Sequence, residues 1–181
     1  MKVIDTIIPE VKIIQPSVFH DKRGYFLESY NQLRFEEYLG RQINFVQDNH
    51  SHSVHRVLRG LHYQIGKPQG KLVRVTKGEV FDVAVDLRES STTFGQWTGR
   101  ILSSENHEQL WIPEGFAHGF YVLSATADLH YKSTDFWFPE CERTILWDDG
   151  NLNIQWPLTM QPIVSDKDAK GIDFSRAEKF R

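Results

Sequence analysis

From Ile43 onward the chain repeats one pattern, short runs rich in Val, Ile, Phe, Tyr and Trp, each closed by a turn signal. INFVQ, RGLHYQ, KLVRVT, EVFDVAVDL, QWTGRIL, EQLWIP, GFYVLS and DLHYKSTDFW succeed one another with the rhythm of an all-β sandwich or barrel. Within EVFDVAVDL the alternation puts Phe81, Val83, Val85 and Leu87 on one face and Val80, Asp82 and Ala84 on the other. Lys77-Gly78, just before it, reads as a tight hairpin turn. Ahead of these runs, NQLRFEEYLG predicts one short helix. Asn31 is its N-cap, Leu33, Tyr38 and Leu39 are its packing residues, and Gly40 is its stop. The closing SDKDAKGIDFSRAEKF predicts a polar loop leading into a short helix, laid over the β structure.

Length and composition bound the rest. A chain of 181 residues with 40% hydrophobic and 13% aromatic content predicts a single domain, 1–181, that buries most of its apolar surface. Cys141 is alone, so no internal disulfide is possible. The opening MKVIDTIIPEV has no long apolar run after its charge, which signals neither secretion nor membrane insertion and leaves the cytoplasm as the expected location. A net charge of −3 argues against general nucleic-acid binding, while local basic clusters remain able to grip one small anion.

IPEGFAHGF contains P-x-G-x-x-H at Pro113, Gly115 and His118, which resembles the second motif of cupin jelly rolls. Metal-binding cupins supply H-x-H and then a glutamate from the first motif, because alternate strand residues converge on one ion. Here the strand holds His62-Tyr63-Gln64, and Gln64 is a poor substitute for a neutral imidazole. The following GKPQGK has no glutamate, and Lys71 would repel a metal. His50 and His52 form H-x-H in DNHSHSVHR without a carboxylate close behind, so no metal is expected. Taken alone, His62 reads as a hydrogen-bonded core residue and Lys71 as a solvated strand end. Their company changes that reading. Arg59, His62, Lys71, Asp82, His118 and Tyr131 all fall on predicted strands of a small barrel, where interior charge needs a partner or a ligand. Histidine titrates near neutrality and tyrosine can act as an acid, so the set suits proton transfer without a metal.

HDKRGYFLESY, FVQDNHSHSVHRVLRGLHYQ, KLVRVTKGEVFDVAVDLR, WIPEGFAHGF, YKSTDFWFPECERTILWDD and SDKDAKG run in order from residue 20 to 171. Together they resemble the signature blocks of the dTDP-4-dehydrorhamnose 3,5-epimerase family. The resemblance implies a cupin-type jelly-roll barrel, core about 43–157, with a short N-terminal helix and a C-terminal tail packed on the barrel. It implies dTDP-4-dehydro-6-deoxy-D-glucose as substrate, a dTDP-4-keto-6-deoxy sugar nucleotide whose C4 ketone acidifies the protons on C3 and C5. A base removes a proton from one face, an enolate forms, and an acid reprotonates the other face. The base falls on His62 and the acid on Tyr131. The carboxylate behind the base falls on Asp168, with Asp166 competing in the same loop and Asp82 as a second neighbour.

Lys71 falls where the family stabilises the C4 oxygen, and His118 adds a hydrogen bond there. Arg23, Glu28, Gln47, Asn49, Arg59 and Lys167 fall around the dTDP group, Trp137 on the thymine ring, and Glu142 as a further polar contact. DFWF stands where tyrosines are more usual, which bears on nucleotide preference. Homodimers with N-terminal strands crossed to the partner are implied, so that Arg23 and Glu28 serve the other subunit's site. No cofactor is implied, because the ketone is its own electron sink, and neither nucleic acid nor membrane is a partner. His20, His50, His52, His55, His107 and His130 read as surface or strand residues. Rival readings are inversion of C3 or C5 alone, a ketoisomerase on a related dTDP-4-keto sugar, a non-catalytic sugar-nucleotide-binding module, and a metal-dependent cupin dioxygenase.

Overall fold

Strands fill most of the span from Lys2 to Thr144 in the computed structural model, which describes residues Met1–Arg181. In chain order they are β1 (Lys2–Asp5), β2 (Lys12–Gln15), β3 (Val18–Asp21), β4 (Gly24–Leu27), β5 (Gln47–Val54), β6 (Leu58–Gln64) and β7 (Lys71–Lys77). Then follow β8 (Glu79–Asp86), β9 (Trp97–Ser103), β10 (Gln109–Ile112), β11 (Phe116–Val122), β12 (Thr126–Ser133) and β13 (Glu142–Thr144). Two short helices, α1 (Gln32–Leu39) and α2 (Asp166–Ala169), complete the list. A large sheet of six strands runs β1-β2-β10-β7-β12-β5 and a small sheet of five runs β13-β6-β11-β8-β9. Every strand pairing within them is antiparallel. From β5 to β8 and again from β9 to β13, successive strands of the chain alternate between the sheets, as in a jelly roll. No helix is long and apolar enough to cross a membrane.

The two sheets face each other across a core. Val73, Val75, Leu110, Ile112 and Leu129 from the large sheet meet Val80, Ala84, Phe116, Phe120 and Val122 from the small one. Burying a side chain of this size contributes about 1.5–3 kcal/mol, so this layer holds the sheets together. The opposite face of the small sheet is covered too. Leu61, Tyr63, Val83, Val85, Leu87 and Ala117 pack against Ile145, Leu152, Ile154 and Ala177 of the C-terminal tail. β8 is thus enclosed on both sides, which is why EVFDVAVDL is apolar on both. The expected tail over the barrel is this covering layer, pinned by bridges from Ile145 to Ile172 and from Arg88 to Phe180.

α1 covers the outer face of the large sheet. The Asn31 side chain accepts from the Arg34 N–H, and Gly40 closes the helix at φ +67° with its N–H donating to the Glu36 carbonyl. The packing residues differ from the expected ones. Phe35 is the buried anchor, set among Ile14, Ile43, Leu72 and Trp111, whereas Leu33 is 78% exposed and Tyr38 is also exposed. So short a helix offers the sheet one stripe. Phe35 and Leu39, four apart, define it, and Leu33 points away.

A second correction concerns Lys77-Gly78. β7 pairs with β10 and β12, while β8 pairs with β9 and β11, so the turn is a crossing from one sheet to the other, not a hairpin. Gly78 sits at φ +75°, and a Cβ there would lie 2.0 Å from the Thr126 carbonyl oxygen. β1 and β2, which precede the region of repeated runs, extend the large sheet beyond β10. The β3–β4 hairpin stands apart from both sheets and leaves Phe19, Tyr25 and Phe26 exposed.

Candidate active site

Side-chain alternation decides what enters the barrel. In β6, Leu61 and Tyr63 face the C-terminal tail, so His62 between them must face inward. Its partner in the neighbouring strand is His118 of β11, also inward. Asp82 enters from β8 on the face it shares with Val80 and Ala84, Lys71 from β7 and Tyr131 from β12. His62, Lys71, His118 and Tyr131 line a cavity of about 180 Å³, together with Arg59, Trp137 and Glu142. Arg59 and Trp137 are exposed, which marks the open side.

His62 Nε2 lies 2.6 Å from Asp168 Oδ1, although the two are 106 residues apart. The buried Asp168 belongs to α2, whose N-cap hydroxyl on Ser165 accepts from the Asp168 N–H. The Gly60 N–H donates to the second carboxylate oxygen at 3.3 Å. Burial pushes the Asp168 carboxyl up. The His62 hydrogen bond and charge, the Gly60 N–H and the Lys167 charge outweigh it and hold the group below the usual carboxylate range. Asp168 is therefore the partner of His62, and Asp166 is exposed.

Asp82 is not a second neighbour of His62. It binds His118 Nε2 through both oxygens, at 3.0 and 2.9 Å, in a fully buried pair. The register explains this, because Asp82 and His118 lie on adjacent strands of the small sheet, whereas β6 lies beyond β11. Lys71 is buried as well. Its Nζ reaches only the His62 carbonyl, at 3.5 Å, and stands 5.9 Å from the Tyr131 ring centre. Burial drives its pKa down to about 8, with Glu142 and Asp82 pulling it back up and Lys167 pushing it down. Tyr131 moves the other way, raised by burial and by Glu142 against the opposing charge of Arg59.

Around the open side, Gln47 Nε2 donates to Asn49 Oδ1 at 2.8 Å, and Gln47 Oε1 accepts from the Trp137 N–H at 3.0 Å. Asn49 is the register partner of Tyr131, and its buried Nδ2 has no partner. Glu142 accepts from Lys167 Nζ at 2.6 Å and from Trp137 Nε1 at 3.3 Å. Arg59 Nε donates to Ser53 Oγ. Arg23 and Glu28 are not brought to this cavity. Arg23 sits in the β3–β4 turn, 85% exposed and paired with Asp21, and Glu28 holds Asn31 and Arg34.

The remaining histidines fall outside the barrel. His50 stacks on His130 with ring centres 4.0 Å apart, and His52 Nδ1 sits 2.6 Å from Asp128. No cluster of three or more His, Cys, Asp or Glu is placed to hold a metal ion. Sequence reasoning missed the Gly60 N–H and the Ser165 cap. The first has no side-chain signature. The second was visible as serine three residues before Asp168.

What such an interior does well is move protons, and that puts the chain among acid–base enzymes built on a cupin-type jelly roll. The sequence model of the dTDP-4-dehydrorhamnose 3,5-epimerase family matches residues 5–176, and the chain belongs to that family of isomerases. A relative of that name from Pseudomonas aeruginosa is 59% identical over 99% of both chains. Among solved structures, a dTDP-6-deoxy-D-glucose-3,5-epimerase from Legionella pneumophila, in complex with dTDP-4-keto-L-rhamnose, superposes with a TM-score of 0.96. It is 55% identical, over 98% of this chain and 94% of that one. A 3'-monoepimerase from Streptomyces bikiniensis, in complex with dTDP-quinovose, has a TM-score of 0.89 at 28% identity, over 94% of this chain and 87% of that one.

Proposed function

We propose that the chain inverts C3 and C5 of dTDP-4-dehydro-6-deoxy-D-glucose to give dTDP-4-dehydro-L-rhamnose, in dTDP-L-rhamnose biosynthesis, as a cytoplasmic homodimer. One observation carries the chemistry. His62, with Asp168 behind it, and Tyr131 enter a single cavity from opposite sheets. A base and an acid on facing walls can take a proton from one side of a carbon and return one to the other.

With Asp168 accepting from His62 Nε2–H, the unprotonated nitrogen is Nδ1. It removes the proton from the carbon beside the C4 ketone. The electron pair moves onto the C4 oxygen, and the Tyr131 hydroxyl supplies a proton to the opposite face. His62 then gives up its proton to solvent and Tyr131 regains one from it, and repetition at the second carbon completes the reaction. Lys71, an ammonium group with no carboxylate in contact, is held ready for the oxygen as it becomes an anion, with His118 alongside. Lys71→Met should therefore lower kcat by about 10²-fold or more and leave KM close to the parent value, because the interaction strengthens only as the reaction proceeds. Steady-state kinetics decides the matter, and an unchanged kcat removes Lys71 from the mechanism.

Arg59 and Lys167 supply positive charge for the diphosphate, Gln47 and Asn49 polar contacts, Trp137 an aromatic face for thymine, and Glu142 a further contact. Arg23 on the β3–β4 hairpin and Glu28 just after it complete the partner's site, and the hairpin's exposed Phe19, Tyr25 and Phe26 suit a covered surface. Arg23→Ala should raise KM about tenfold, more at low salt, with kcat nearly kept. If Arg23 acts across subunits, mixing Arg23→Ala with a His62→Ala chain regenerates sites with the parent KM. No recovery on mixing excludes the exchange.

The overall reading is tested by incubating the enzyme with the 4-keto sugar nucleotide in deuterated water and following it by NMR. Deuterium at C3 and C5 with both centres inverted is expected. Deuterium at one carbon makes the chain a monoepimerase, and binding without exchange makes it a non-catalytic module.

A further inference from the structure

Among the residues lining the cavity, Glu142 is the one carboxylate, since Asp82 and Asp168 sit behind the histidines they bind. It pairs with Gln64 across β13 and β6, on the inward face of the sheet. Its oxygens are fixed, one by Lys167 Nζ at 2.6 Å and one by Trp137 Nε1 at 3.3 Å. Lys71, across the cavity, is buried with no ion-pair partner. We infer that Glu142 is a positioning residue that keeps Lys71 in its ammonium form from across the cavity. The inference rests on the assignment of Lys71 to the C4 oxygen.

The charges around Lys71 divide clearly. Arg59 and His62 face the cavity from β6, His118 from β11, Tyr131 from β12 and Glu142 from β13, while Asp82 of β8 and Asp168 of α2 stand behind the two histidines and Lys167 of α2 sits on Glu142. His62 and His118 are each occupied by a carboxylate, and Arg59 and Lys167 repel the ammonium. Glu142 opposes them directly and screens Lys167 by pairing with it, and its pull on Lys71 exceeds that of Asp82. Burial has already brought the Lys71 pKa to about 8, so losing that pull lowers it further and raises the neutral fraction of the amine.

Glu142→Gln keeps the shape and removes the charge. The Lys71 amine is titrated by NMR in substrate-free enzyme labelled with ¹³C-lysine, using Lys71→Met to identify its signal. The midpoint is expected to fall in Glu142→Gln, to recover in part in Glu142→Gln/Lys167→Met, and to hold in Glu142→Asp. In parallel, kcat of Glu142→Gln should drop about fivefold more at pH 8.5 than at pH 6.5, since one pKa unit is one decade of neutral amine. An unmoved midpoint in Glu142→Gln overturns the inference, and equal loss of kcat at both pH values with that unmoved midpoint leaves Glu142 a nucleotide contact only. A moved midpoint with no pH-dependent loss of kcat upholds the inference and removes Lys71 from the C4 oxygen.

Discussion

His62→Ala is expected to lose deuterium exchange and epimerisation together, each by about 10³-fold or more. Both begin with removal of a proton, so nothing downstream can rescue either. The variant also strips Asp168 of its imidazole. That carboxyl is held below the usual range chiefly by the His62 hydrogen bond working against burial, so it contributes stability above the unfolded carboxylate pKa. Losing the partner of a buried charge is costly, and reduced stability at neutral pH could mask the chemistry. The control must keep a donor at the Nε2 position. A glutamine there, His62→Gln, does so better than asparagine, because its amide N–H reaches about as far as Nε2 and can donate to Asp168; it lacks a base and should be equally inactive while folding normally. If either variant exchanges at the parent rate, the base lies elsewhere, and His118 is then the candidate. His130, stacked on His50 outside the barrel, has no access to the cavity.

The strands that carry these residues were legible because their neighbours had only one place to go. In β8, alternation separated Asp82 from Phe81 and Val83, and the structure puts the two sets on opposite sides of the small sheet. What alternation does not give is the partner strand. Asp82 was assigned beside His62, yet the β6-β11-β8 order interposes His118. Lys77-Gly78 failed for the same reason. A glycine with positive φ reports that the chain turns, while the sheet receiving the next strand depends on contacts such as the close approach to Thr126. Pairing of Asp168 with His62 came from the family motif, since 106 residues separate them and no local period links them. Its neighbour Asp166 has the same chemistry. The Ser165 cap and the Gly60 N–H select Asp168, and both act through geometry that exists only after folding.

Tyr131→Phe separates the two halves of the reaction. The substitution keeps a ring that packs against the barrel core near His118 and removes only the hydroxyl, so the fold should hold. Burial and the Glu142 charge raise the Tyr131 pKa, with Arg59 opposing, so the hydroxyl carries its proton at neutral pH and can act as an acid. Without it, His62 still forms the enolate. The imidazolium then exchanges with solvent and returns deuterium to the face it came from. Inverted product should fall by about 10²-fold or more, while deuterium enters with retained stereochemistry at a rate much closer to the parent. The pattern is diagnostic because a general disturbance of the cavity would slow exchange and inversion alike. A single base working on both faces through sugar rotation would instead leave inversion at the parent rate. Parallel loss of exchange and inversion would make the hydroxyl part of enolate formation, and unchanged inversion would put the acid on another residue. Only exchange that outlasts inversion fits a base on β6 and an acid on β12, on opposite walls of one cavity.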